Sequence, residues 1–97
     1  MIRELAFIDV RAGEESEFES AVALAVSTVL TQAHGYLGFE LRSSLDHSQR
    51  YSFEIQWETL EDHTVGFRES ELFPQWRAII GKYFANPPVI EHWGKVF

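Results

Sequence analysis

Tyr51-Ser52-Phe53-Glu54-Ile55-Gln56-Trp57-Glu58 alternates apolar and polar side chains without a break. Tyr51, Phe53, Ile55 and Trp57 fall on one side at a period of two, the pattern of a half-buried β-strand. The chain passes almost at once into Thr59-Leu60-Glu61-Asp62-His63, where Thr59 and Asp62 are spaced as in a capping box. The indole of Trp57 is therefore expected at the carboxyl end of a strand, close to a helix start. An aromatic wall in that position can shape a mostly apolar pocket.

Toward the N-terminus, Asp46-His47-Ser48-Gln49 is a short polar stretch of the kind found in hairpin loops. It leads back to a second strand, Tyr36 to about Leu45, with Leu37, Phe39 and Leu41 on one face. Before that, Glu14, Glu15 and Glu17 crowd a helix start, where negative charge complements the macrodipole. Phe18, Val22, Ala25 and Val29 recur at helical spacing, widened by Ala21 and Val26. This helix should end near Ala33, because Gly35 suits the position just past a helix end. Arg3 to Val10 reads as the first strand. Leu5 and Phe7 point one way and Ala6, Ile8 and Val10 the other, as in a central strand covered on both faces.

Toward the C-terminus, Gly66-Phe67-Arg68 is expected to break the short helix after Thr59. A longer helix over Ser70–Tyr83 places Phe73, Trp76, Ile80 and Tyr83 on one face, with Pro74 tolerated in its first turn. Asn86-Pro87-Pro88 ends it, and Val89–Val96 reads as the last strand. The order strand, helix, strand, strand, helix, strand predicts an α+β, ferredoxin-like split βαβ fold. Its four-stranded antiparallel sheet carries both helices on one face. A second copy packing sheet to sheet would cover the other face, giving a homodimer.

A chain of 97 residues is one domain, 1–97, with a marginal monomer core. Aromatics make up 14% of it, more than one small core readily absorbs, so a dimer or an aromatic-lined cavity is expected. The net charge of −7 and the lack of a basic stripe argue against nucleic acid and anionic membranes as partners. Without cysteine there are no disulfides, thiolate metal sites or cysteine nucleophiles, which fits a cytoplasmic location. Met1-Ile2-Arg3-Glu4 does not open as a signal peptide does, and no apolar run reaches membrane-spanning length. The histidines at 34, 47, 63 and 92 are scattered with no metal-ligand spacing, so no metal is expected. No serine elbow or phosphate-cradling glycine loop is present.

Taken in order, Gly35-Tyr36-Leu37-Gly38-Phe39-Glu40-Leu41-Arg42, Trp57-Glu58-Thr59-Leu60-Glu61-Asp62-His63, Gly66-Phe67-Arg68-Glu69-Ser70, Phe73, Trp76 and Pro87-Pro88 resemble the antibiotic biosynthesis monooxygenase family. The match spans almost the whole chain. It implies a dimeric α+β barrel with a pocket between each sheet and its helices. Two branches of the family can be compared with this sequence. In the haem-degrading branch, Trp57 matches, but the asparagine position falls near Ala6 and the axial histidine at or near Arg77. Loss of the iron ligand disfavours haem. In the branch that oxygenates polyketide-like phenols without a cofactor, Trp57 and Arg77 match, while the tyrosine position falls at His63 and the asparagine position at Phe53.

The resemblance thus implies a cofactor-free monooxygenase for a small aromatic or polyketide-like molecule, with catalytic candidates Trp57, His63 and Arg77. Trp57 can donate one N–H. Arg77 could hold an oxyanion, and His63 could take a phenolic proton. Phe39, Phe53, Phe67 and Trp76 would form the apolar walls. Each residue also has a structural alternative. Trp57 suits a core, Arg77 a solvated helix face, and His63 the surface of a first helical turn. His34 suits a helix end, His47 a solvated loop, and His92 an interface or rim. The alternative function is a small-ligand-binding or purely structural homodimer without turnover.

Overall fold

A computed structural model describes all residues, 1–97. Strand β1 (Ile2–Asp9) is followed by helix α1 (Glu15–Thr28), strands β2 (Tyr36–Ser43) and β3 (Arg50–Trp57), helix α2 (Leu72–Ile80) and strand β4 (Val89–Gly94). The sheet runs β2-β3-β1-β4, and every pairing is antiparallel. This is the ferredoxin-like α+β fold expected from the order of elements.

The register sorts the side chains into two faces. Across β1 and β3, Ile2 pairs with Trp57, Glu4 with Ile55, Ala6 with Phe53 and Ile8 with Tyr51. Across β1 and β4, Glu4 pairs with His92 and Ala6 with Ile90. Facing residues across an antiparallel pair point the same way, so all of these lie on the helix side. Helix α1 seats Phe18, Val22 and Ala25 there, and α2 seats Trp76 and Ile80. Phe18 meets Tyr51 at 5.0 Å between ring centroids, and Trp76 stands edge-on to Phe53 at 5.9 Å.

The other face is mixed rather than apolar. Glu54 sits at its centre, 9% exposed, and accepts hydrogen bonds from Arg3 Nε at 3.3 Å, Arg42 Nη2 at 3.5 Å and Gln56 Nε2 at 3.2 Å. The Gln56 bond, with Arg42 and Arg3 nearby, holds its carboxyl below the usual range. Phe7, Val89 and Trp93 are exposed beside this network.

Several boundaries differ from the sequence expectation. Helix α1 gives way after Thr28 to a 3₁₀ turn, Leu30–Gln32, because Val29 leaves ideal helical geometry at φ −119°. Strand β2 ends at Ser43, and Leu37 does not share the face of Phe39 and Leu41. It is the extra residue of a β-bulge between Tyr36 and Gly38, and Tyr36 takes the pairing with Trp57. The helix after Thr59 ends within Gly66-Phe67-Arg68, as expected, but it does so through a widened turn. Gly66 and Phe67 lie inside a π-helical turn, Asp62–Phe67, closed by Arg68 N–H donating to His63 O at 3.1 Å. Ser70 Oγ accepts from Leu72 N–H at 3.2 Å, but α2 itself starts at Leu72 and ends at Ile80, followed by a 3₁₀ turn over Gly81–Tyr83. Strand β4 stops at Gly94.

Candidate functional site

The π-helical turn is the device that builds the site. Thr59 N–H donates to Asp62 Oδ2 at 3.1 Å, and Asp62 N–H donates to Thr59 Oγ1 at 3.2 Å, the reciprocal capping expected from the sequence. The wider turn that follows buries both His63 and Phe67 against the sheet. π-turns recur at functional positions because the extra residue re-aims side chains. His63 is 3% exposed, not the surface histidine that its position in a first helical turn suggests. Its ring stacks on Trp57 with 5.5 Å between centroids and 19° between planes.

Trp57 is sealed completely. Its Nε1–H donates at 3.0 Å to Oε1 of Glu4, a carboxyl group only 4% exposed on the helix face of β1. The same Oε1 lies 3.2 Å from His63 Nε2. The other ring nitrogen of His63, Nδ1, lies 2.8 Å from Nε2 of His92 on β4. Glu4, His63 and His92 therefore form a chain rather than a cluster. No group of three His, Cys, Asp or Glu is arranged to hold a metal ion.

Burial sets the protonation of this chain. Desolvation lifts Glu4 to about 7, against the opposing pull of the Trp57 hydrogen bond and the Arg68 charge. Desolvation, with Arg68 and then His92 adding to it, drops His63 to about 4. His92 is lowered by burial and Arg68. The close approach of His63 to Glu4 thus has salt-bridge spacing, but near neutral pH it joins a neutral imidazole to a carboxyl group. With Glu4 ionised, His63 Nε2–H donates to it, and Nδ1 is left to accept from His92 Nε2–H.

Glu4 and His63 form one wall of a cavity of about 610 Å³ between the sheet and α2. Phe53, Phe67, Phe73, Trp76, Ile80 and Ile90 supply apolar walls, and Pro87 and Pro88 close one side. Arg68 and Arg77 bring two guanidinium groups to the lining. Arg77 is exposed, with its guanidinium 5.9 Å from the centre of the Phe73 ring. Of the residues singled out from sequence, His63, Arg77, Phe53, Phe67 and Trp76 meet at this cavity. Trp57 lies behind Glu4 and His63, and Phe39 packs on Phe53 and Trp76 without lining the space. Sequence reasoning missed Glu4, Arg68 and the link to His92. An acid in the inward-facing set of a central strand, in phase with Ala6 and Ile8, was the available signal for Glu4.

Fold and sequence place the protein in a family. The profile of the antibiotic biosynthesis monooxygenase family matches residues 1–79, and the chain belongs to that family. YczJ of Bacillus subtilis strain 168 is 34% identical over 96 residues, covering 99% of this chain and 100% of YczJ. A protein of Bordetella bronchiseptica named for the same family is 41% identical, with a TM-score of 0.93 over 99% of this chain and 97% of that one. SnoaB, a cofactor-independent oxygenase of Streptomyces nogalater, is similar in fold alone: its TM-score is 0.81 at 12% identity, over 99% and 95% of the two chains.

Proposed function

We propose that this protein is a cofactor-independent monooxygenase acting on a small hydroxylated aromatic or polyketide-like molecule. The observation that carries the reading is the cavity itself, which combines aromatic walls with a buried carboxyl–imidazole pair and two guanidinium groups in its lining. The family, and the cofactor-independent oxygenase named among the structural relatives, support it. An electron-rich phenol loses its proton, and the anion passes an electron to dioxygen. Recombination gives a peroxide at the activated carbon. Collapse of the peroxide, CH–O–OH, leaves C=O and releases one water, so one oxygen atom enters product and the other leaves as water.

The residues have separable tasks. Arg77 holds the developing oxyanion as a permanent cation. Phe53, Phe67 and Trp76 exclude water and stack on the rings. Trp57 fixes Glu4 through its single N–H, and His63 belongs to the proton-handling group. The protein works as a homodimer through the open sheet face, where Phe7, Val89 and Trp93 are exposed. Metal-stripped protein mixed with anthrones and naphthols under oxygen should consume dioxygen in proportion to ketone formed. Consumption no greater than in buffer across the panel removes the reading.

One observation favours a second reading, a dimer that binds an aromatic molecule without turnover: Trp57 has no surface in the cavity. Saturable binding of these compounds with no oxygen uptake would establish it.

A further inference from the structure

We propose that Glu4, through its Oε2 oxygen, is the group that takes the proton from the hydroxylated aromatic substrate, while His63 and His92 are positioning residues that hold the Glu4 carboxyl. This role rests on the oxygenase reading above and names the base within it. His63 is the residue whose type suggests a base, but neither of its ring nitrogens is free. Nε2 is engaged by Glu4 Oε1 and Nδ1 by His92 Nε2. Glu4 has the opposite arrangement. Its Oε1 meets both Trp57 Nε1 and His63 Nε2, which fixes the plane of the carboxyl group. Its Oε2 makes no hydrogen bond to the protein. No fully buried side-chain oxygen or nitrogen lacks a partner, so Oε2 is open to the cavity that Glu4 lines.

The charged and titratable groups around Glu4 come from every element packed on it. They are His63 from the π-turn, Arg68 from the turn after it, His92 from β4 and, in the same cavity lining, Arg77 from α2, with Trp57 of β3 as the neutral donor. No second carboxylate faces it. Burial lifts Glu4 to about 7. A phenol ionises near 10, so the mismatch is about three pK units, where an ordinary carboxylate leaves more than five. In the transfer, the substrate O–H bond breaks, its electron pair stays on oxygen, and the proton bonds to Oε2. Negative charge thus moves from Glu4 to the substrate oxygen while Arg68 and Arg77 remain in the lining. The carboxylic acid then returns the proton to the peroxide formed with dioxygen, which ionises Glu4 again; the C–H proton of the peroxide-bearing carbon and the departing hydroxide leave together as water, and the carbon becomes C=O.

Glu4→Gln preserves the shape and the acceptor for Trp57, and is compared with His63→Gln and the wild type. In the ligand-free wild type, the infrared carbonyl stretch of a neutral carboxylic acid should disappear as pH rises through about 7, and Glu4→Gln should lack that band. With a naphthol as substrate, kcat/KM of the wild type should rise with pH through the same midpoint. Glu4→Gln should lower kcat by about 10²–10⁴-fold with KM within about threefold, and should abolish the limb near 7. His63→Gln should keep a displaced limb, because Glu4 is still present. An active wild type with no titrating carboxylic-acid band, or a Glu4→Gln variant with undiminished kcat, overturns the assignment and leaves the oxygenase reading standing. A wild type that oxidises none of the compounds overturns both.

Discussion

Glu4 and His63 touch, yet burial moves their proton affinities in opposite directions, and both effects bear on stability. Glu4 rises from 4.5 to about 7 on folding, so the folded state holds its proton more tightly; that stability is complete below 4.5 and is lost as pH rises through 7. His63 falls from 6.5 to about 4, so its contribution is present above 6.5 and is lost as pH falls through 4. Between 4.5 and 6.5 the two slopes, each about 1.4 kcal/mol per pH unit, oppose and nearly cancel. His92, also lowered by burial and Arg68, adds to the His63 slope, so the pH dependence of the wild type should lie between those of the two variants in that window. His63→Gln should lose stability as pH rises across it, and Glu4→Gln should lose stability as pH falls. Urea midpoints at a series of pH values measure this, and parallel curves for the two variants would contradict it.

At the scale of the element, the π-turn depends on one glycine outside it. Gly35 has φ +81°, and a methyl group there would collide with the Asp62 carboxylate. Asp62 is half of the cap that starts the turn carrying His63. Gly35→Ala should thus combine backbone strain with a lost cap, at a cost of roughly 2 kcal/mol. It should also free His63 from its stack on Trp57. A urea midpoint shows the first effect, and an upward shift of the His63 titration in NMR shows the second. An unchanged midpoint would mean that Asp62 swings aside freely. Gly35 was readable as a helix terminator, but its contact with Asp62 was not, because that contact joins segments remote in sequence.

The whole molecule presents an open sheet face with two kinds of surface. The Arg3–Glu54–Arg42 network lies near the centre, and Phe7, Val89 and Trp93 are exposed beside it. A twofold partner can bury the aromatic groups while leaving a hydrogen-bonded carboxylate satisfied. Sedimentation equilibrium at micromolar concentration should give a dimer for the wild type and a monomer for Phe7→Asp, since that change would place an unpaired charge in the interface. Equal masses for the two proteins would remove this face as the dimer contact.

Periodicity in the chain was enough to specify the strands, the helices and their order, because alternation in Tyr51–Trp57 and the helical spacing of Phe18, Val22 and Ala25 are local consequences of which face meets the core. The family resemblance, rather than periodicity, singled out Trp57, His63 and Arg77 as catalytic candidates. Their arrangement required long-range pairing. Register set Glu4 opposite His92, and the π-turn brought His63 between them. Burial, which no single residue encodes, then made a carboxyl group the one that titrates near neutral pH and left the imidazole neutral.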